Sequence, residues 1–227
     1  MSRLREFSAL QKDLIVGTLL GNSTLQLLDF YPKLKVIMTI TQEEDRLDYL
    51  KFLHLVMKPF TGLSEPKNFH VVDNKWSLEF AVGYEKYPNG FYTRPLTQLI
   101  PYFDLFYVKR DEMYVKILPQ NISELLNPQG LAFWFMDTSL FLDNGLILRT
   151  ESFLESEVLL LTKLLADKYG IKGIMFKYQE LKKKNSISLK KGEEFKYRIM
   201  ISEESFRILQ EVVKYKIVRC MRPQFKL

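Results

Sequence analysis

Apolar and polar positions along the chain keep two rhythms, one helical and one alternating. Residues 9 to 21 have the helical rhythm, and Ser8 with Gln11 reads as a capping box at its start. Leu10, Leu14, Gly17, Thr18 and Gly21 fall on one side, with Lys12 and Asp13 on the other. Glycine costs a helix about 1 kcal/mol relative to alanine. Two glycines on one face therefore predict close approach by another backbone. The alternating rhythm follows in "TLQLLDF" and "LKVIMTIT", strands flanking Tyr31-Pro32. In the second, Leu34, Val36, Met38 and Ile40 alternate with Lys35, Ile37 and Thr39. A helix is expected from Gln42 to Met57, with an acidic first turn of Glu43, Glu44 and Asp45 matched to the helix dipole. A strand pair, "NFHVVD" and "KWSLEFAVG", is expected to turn at Asp73-Asn74. A helix then opens near Arg94, with Pro101 expected to bend or break it.

The second half repeats this order. Asn127-Pro128 is an N-cap followed by a proline at the first helical position, and "QGLAFWFMDTSLF" continues as an apolar helix ending on Asp137, Thr138 and Ser139. A strand pair turns at Asn144-Gly145, and a helix from Leu154 to Lys168 is closed by Gly170. The strands "IKGIMFKYQEL" and "EFKYRIMIS" come next, joined by a basic loop, and a helix from Glu203 to Val213 precedes the tail "MRPQFKL". Laying Asn22 over Thr138 gives a period of about 116 residues. The pattern predicts an α+β fold of two αββαββα repeats, residues 1–118 and 119–227. The helices carrying the two apolar stretches should meet at a pseudo-two-fold axis. Gly17 and Gly21 on one, and Ala132 on the other, permit close packing there.

Composition narrows the function classes. The chain has 227 residues, 47% of them hydrophobic, enough for a substantial core. Lys and Arg number 33 against 27 Asp and Glu, a net charge of +6 that is compatible with a polyanionic partner. A single cysteine, Cys220, excludes an internal disulfide framework and a thiolate-rich zinc site. With only His54 and His70, a histidine metal centre is not expected either. No apolar run reaches the roughly 18 residues needed to span a bilayer, so no membrane partner is expected. The start "MSRLREFSAL" lacks the apolar segment of a secretory signal, and Glu6 argues against a transit peptide. Seventeen Phe and 12 Tyr beside four Ala point to an AT-rich coding genome such as an organelle's.

Four stretches resemble the LAGLIDADG homing endonuclease and intron maturase family, in its single-chain, two-repeat form. These are "LIVGTLLGNSTL", "LNPQGLAFWFMDTS", "NGLILRTESFLESEVLLLTKLL" and "MRPQFKL". The resemblance implies two signature helices packed along the pseudo-dyad beneath a saddle of two antiparallel four-stranded sheets. Each helix delivers one acidic residue, and the acidic pair holds divalent cations for phosphodiester hydrolysis. Carried over residue by residue, those acidic positions are Asn22 and Thr138. An amide and a hydroxyl lack the charge that Mg²⁺ requires. The remaining candidate is Asp137, one residue earlier and turned by about 100° around the helix. Asp13 and Asp29 have no motif support.

The resemblance thus implies a nuclease fold that binds nucleic acid without cleaving it and needs no metal cofactor. Its alternative is an active, Mg²⁺-dependent, site-specific DNA endonuclease using Asp137. Alternation groups Lys35 with Thr39, Lys177 with Gln179, and Lys196 with Arg198 on strand faces, and Arg149 is placed similarly in "LILRTES". Cations there are expected to meet phosphates, with Gln and Thr meeting bases or sugars. Lys182, Lys183, Lys184, Lys190 and Lys191 sit in the basic loop. With both acidic positions lost, the family resemblance implies structured RNA over DNA as the partner, either maturase-like or as a component of a ribonucleoprotein such as the mitochondrial ribosome. The chain is expected to act as a pseudo-dimeric monomer, encoded and working in a mitochondrion or chloroplast.

Overall fold

A computed structural model describes residues 5–30, 33–61, 67–68, 89–178 and 195–227. The first half contains α1 (Ala9–Leu19), β1 (Thr24–Phe30), β2 (Lys33–Gln42), α2 (Leu47–Met57), β3 (Lys67–Asn68), β4 (Asn89–Tyr92) and α3 (Ile100–Phe106). A hairpin of β5 (Tyr107–Arg110) and β6 (Met113–Lys116), with the short α4 (Ile122–Leu125), leads to the second half. That half has α5 (Pro128–Thr138), β7 (Ser139–Leu142), β8 (Gly145–Arg149), α6 (Glu155–Tyr169), β9 (Gly173–Tyr178), β10 (Lys196–Ser202) and α7 (Glu203–Val213).

Helix ends follow local chemistry. Ser8 Oγ accepts from Gln11 N–H at 3.3 Å while Gln11 Oε1 accepts from Ser8 N–H at 2.9 Å, the reciprocal box that the spacing predicts. Asn127 Oδ1 accepts the N–H groups of Gln129 and Gly130, each at 2.9 Å, with Pro128 in the first turn. Gly170 closes α6 with φ +71°, a left-handed conformation that favours glycine.

Each half builds one antiparallel sheet. The strand orders are β1-β2-β4-β3 and β7-β8-β10-β9, and their correspondence gives the two-sheet saddle of an α+β fold. In the first sheet Leu25 lies opposite Met38 and Ile40 opposite Phe91, so one face joins the core. In the second, Leu148 pairs with Ile199 and Leu146 with Ile201, all fully buried. The opposite faces stay open.

Helices α1 and α5 run together through the centre. Leu14, Ile15, Leu19, Leu131, Phe133, Trp134 and Phe135 are all fully buried. Helix α1 is therefore enclosed nearly all round, and the one-sided pattern read from its sequence is too narrow. Leu10, placed on the apolar side, is 40% exposed because it lies in the first turn, outside the helix crossing. The glycine expectation holds. A Cβ on Gly17 would lie 2.3 Å from Gly130 O and 2.6 Å from Phe133 Cβ.

Other expectations need correction. Gln42 ends β2 instead of starting a helix, and a single 3-10 turn separates it from α2. Pro101 sits in the first turn of α3, where its missing N–H costs nothing, so it starts the helix and does not break it. The β5–β6 hairpin has no counterpart in the predicted order. Of the pair expected at "NFHVVD" and "KWSLEFAVG", the strand start at Asn68 is seen, and the remainder lies outside the described residues. Strand β4 comes later, at Asn89–Tyr92.

Candidate nucleic-acid interface and the centre beneath it

The two central helices end side by side. After α1 the chain turns through Gly21 and Asn22 into β1, and after α5 it passes from Thr138 directly into β7. Asn22 N–H donates to Asp137 Oδ2 at 2.5 Å, and Asn22 Nδ2 donates to the Asp137 carbonyl at 2.9 Å. The residue at the first family position is thus engaged with the helix end of the other half. Thr138 is buried, and its hydroxyl donates back to Trp134 O at 2.9 Å, within its own helix.

Asp137 is fully buried between the helices. Its second oxygen, Oδ1, accepts from the Gln42 side-chain amide. Arg46 Nη1 donates to the carbonyls of Met136 and Asp137, both at 2.9 Å, and Nη2 donates to Ser139 O. One guanidinium therefore satisfies three carbonyls around the C-terminal end of α5, where a positive charge also suits the helix dipole. From the other half, Arg149 Nε donates to Thr138 O at 3.3 Å, and its Nη1 is ion-paired with Glu43.

The carboxyl of Asp137 is pushed up to about 7, chiefly because burial disfavours its charge. The Asn22 N–H, Arg46, Arg149 and Gln42 pull the other way. Lys116 Nζ is withdrawn beneath the carbonyls of Ser23 at 2.9 Å and Gly21 at 3.3 Å. Burial lowers its ammonium to about 8 against the opposing pull of Asp137. The centre thus gathers Arg46, Arg149 and Lys116 around one buried acid. Among the described residues, no group of three or more His, Cys, Asp and Glu is placed to hold a metal ion. The Asn22 amide nitrogen and the Thr138 hydroxyl proton are committed to carbonyls, so these side chains do not form the carboxylate set a divalent cation requires.

Sequence reading missed Gln42, Arg46 and Lys116. The acidic run "QEEDR" hid the first two, although an arginine closing an acidic turn is a signal for a committed guanidinium. Nothing in the chain marks Lys116, because its place depends on the unexpected hairpin.

The outer candidates divide by strand register. Lys35, half-buried, lies opposite Leu28 on the open face of the first sheet, with Thr39 paired to Thr24 and Tyr92 on the same face. Lys196 and Arg198 share the open face of the second sheet. Lys177 does not share it. It lies opposite Tyr197, whose ring joins the core side, and its ammonium sits 4.8 Å from the centre of the Phe195 ring. Arg149 lies opposite Arg198 on the open face but is only 5% exposed, its guanidinium engaged by Thr138 O and Glu43. Arg198 is held by Glu151, with Nε at 2.7 Å and Nη2 at 2.5 Å, and its guanidinium lies 3.5 Å from the Tyr178 ring centre. Gln179, Lys182, Lys183, Lys184, Lys190 and Lys191 lie outside the described residues.

Two open sheet faces flanking the ends of a paired-helix axis define a saddle-shaped two-repeat protein. The profile of the LAGLIDADG DNA endonuclease family matches residues 12–209, and the chain belongs to that family. It is 29% identical over 220 residues to DNA endonuclease I-ChuI of Chlamydomonas applanata, covering 93% of this chain and 92% of that protein. It is also 26% identical over 190 residues to the cytochrome b mRNA maturase bI2 of Debaryomyces hansenii, covering 82% of this chain and 62% of the maturase. The Saccharomyces cerevisiae maturase of the same name is 31% identical over 108 residues, covering 48% of this chain and 23% of that protein. Among solved structures, the homing endonuclease I-WcaI bound to its DNA recognition sequence superposes with a TM-score of 0.69. It is 16% identical and covers 98% of this chain and 88% of that one, a likeness of fold.

Proposed function

We propose that this chain binds nucleic acid and has lost the family's metal-dependent cleavage. One observation carries the reading: neither Asn22 nor Thr138 offers a carboxylate, and the acid between them, Asp137, is buried and bonded to Asn22 and Gln42. Without paired acids at the helix ends, no divalent cation is held to activate water or stabilise the leaving oxygen. The preferred partner is a structured RNA, recognised by shape, backbone and 2′-OH contacts. The likeness to two mRNA maturases supports RNA over DNA. The same relatives, with the AT-rich composition, support an organellar setting, in a mitochondrion or chloroplast. The chain acts as a pseudo-dimeric monomer of two repeats, residues 1–118 and 119–227, as a maturase or within a larger ribonucleoprotein.

A second reading, an active DNA endonuclease, draws on the nearly full-length likeness to I-ChuI. One experiment separates the two. Sequences bound by the protein are selected from randomised DNA and RNA pools, and the selected DNA is incubated with Mg²⁺ or Mn²⁺. Binding without cleavage is expected, with cleavage appearing in the Asn22→Asp, Thr138→Asp double variant. Cleavage by the unmodified protein that matches the double variant and disappears in Asp137→Ala overturns the proposal in favour of the endonuclease.

A further inference from the structure

The two open sheet faces differ in chemistry. On the first lie Thr24, Gln26 and Leu28 of β1, Lys35, Ile37 and Thr39 of β2, and Tyr92 of β4, a face of mixed polar and apolar groups. On the second, register places Ile174, Phe176 and Tyr178 of β9 beside Met200 of β10 and Ile147 of β8. Ile174 and Met200 are 64% and 41% exposed, and Phe176 and Tyr178 are partly buried. Lys196 stands at one end of this face, opposite Tyr178, and the two arginines are occupied. Arg198 is bound by Glu151 and lies over the Tyr178 ring, and Arg149 is bound by Glu43.

We propose that this second face is a stacking platform for unpaired RNA bases. The proposal rests on the nucleic-acid reading above and assigns the two halves different work. A duplex presents charged phosphates and hides the flat faces of its bases, so an apolar sheet with neutralised arginines gains little from it. An unpaired base exposes a π face, and stacking on an aromatic side chain strengthens binding roughly 5- to 150-fold per base. Four-stranded antiparallel sheets carrying exposed rings are an established way of holding such bases. Phe176 offers the ring, Ile174 and Met200 offer flat apolar support, and Arg198 stiffens Tyr178 by covering one side of it. The first face, with Gln26, Lys35 and Thr39, supplies hydrogen bonds and charge to an adjoining backbone. A protein partner fits less well, because it would cover half of a saddle whose other half is built for a polyanion.

The test uses the full chain and an RNA hairpin with an adenine-rich loop carrying 2-aminopurine, compared with the same RNA annealed to a complement of its loop. Tighter binding of the open loop and quenching of 2-aminopurine fluorescence are expected. Phe176→Leu keeps an apolar side chain and should weaken loop binding about tenfold, remove the quenching and leave the paired RNA unaffected. Ile174→Trp, at an exposed position on an edge strand, should tighten loop binding, a gain that misfolding cannot mimic. If open and paired RNAs bind alike and neither variant changes either affinity, the platform is refuted and a protein becomes the better occupant of the face. If the protein binds neither RNA, the RNA reading falls and the platform with it.

Discussion

Replacing Asp137 by asparagine tests which force governs the centre. The acid is enclosed, with Arg46 and Arg149 near it, and these two influences have opposite signs. Burial raises its pKa from the ordinary 3.8 to about 7. At about 1.4 kcal/mol for each tenfold change in ionisation, that difference corresponds to about 4 kcal/mol. The folded protein keeps the proton up to about pH 7, whereas the unfolded chain loses it near pH 4. Between those limits the folded state binds more protons. The contribution of Asp137 to stability is therefore full below about pH 4 and is lost as pH rises through about 7. The neutral acid has a local partner. Gln42 Oε1 is buried without a hydrogen bond, and turning the Gln42 amide over would let it accept from a protonated Asp137. Asparagine at 137 makes the same donation without titrating. Urea unfolding of both proteins, followed through the buried Trp134, should show similar stability near pH 4. By pH 8 the variant should gain about 4 kcal/mol on the unmodified protein. Referring each value to the variant cancels the titration of other carboxylates. A gain of the unmodified protein over the variant across the same range would refute the argument. The guanidinium groups would then outweigh burial and hold Asp137 as an anion.

The remaining predictions concern packing and charge. Gly17→Ala forces α1 and α5 apart, since its Cβ would lie 2.3 Å from Gly130 O. Urea unfolding should show a loss of about 1–3 kcal/mol despite the better helix propensity. Gly130→Ala meets nothing closer than Leu126 Cδ1 at 3.4 Å and should be neutral or stabilising by up to about 1 kcal/mol in the same assay. Arg46→Ala takes the guanidinium from three buried carbonyls, of which that of Asp137 keeps Asn22 Nδ2 as a second donor. It should cost about 2–5 kcal/mol, a melting-temperature drop of about 4–20 °C in thermal unfolding, with Arg46→Lys recovering only part because lysine cannot fork. In RNA-binding titrations, Lys35→Ala should reduce the slope of log affinity against log salt by about 0.7–0.9, while Lys177→Ala, on the other side of its sheet, should leave the slope unchanged.

Much of the scaffold was legible because it is encoded locally. Ser8 with Gln11, Asn127 with Pro128, and Gly170 each satisfy or terminate a helix through neighbours within a few residues. Gly17 announced a close helix crossing because nothing else justifies glycine at that point in a helix. The centre was less legible because it is assembled from distant segments. Asp137 receives Asn22 from 115 residues away and Gln42 from 95. Alternation showed that Lys196 and Arg198 share a face, but it could not reveal that Glu151 occupies the arginine. It also could not align β9 with β10. Only the pairing of Lys177 with Tyr197 shows that this lysine points away from the open face. Lys116 had no signature, since a lysine at the end of a short strand usually faces water.

Asp137 has a structural role of its own beside the position aligned with the family's second acid. A Cβ built on Gly21 would fall 2.0 Å from Asp137 Oδ2, so residue 21 has to lack a side chain for the carboxyl to reach across. That reach meets the backbone N–H of Asn22, a donor that Asp137 satisfies where α1 gives way to β1. The Asn22 side chain returns the bond to the Asp137 carbonyl, which Arg46 also holds. Gly21, Asn22, Asp137, Gln42 and Arg46 therefore form one structural joint between the halves. Its requirements are a bare backbone at 21 and an acceptor at 137, and it makes no demand for acids at 22 and 138. Catalytic carboxylates can be lost from such a centre while the helix crossing and the saddle above it persist. Binding can then outlive cleavage in this fold without rebuilding the core.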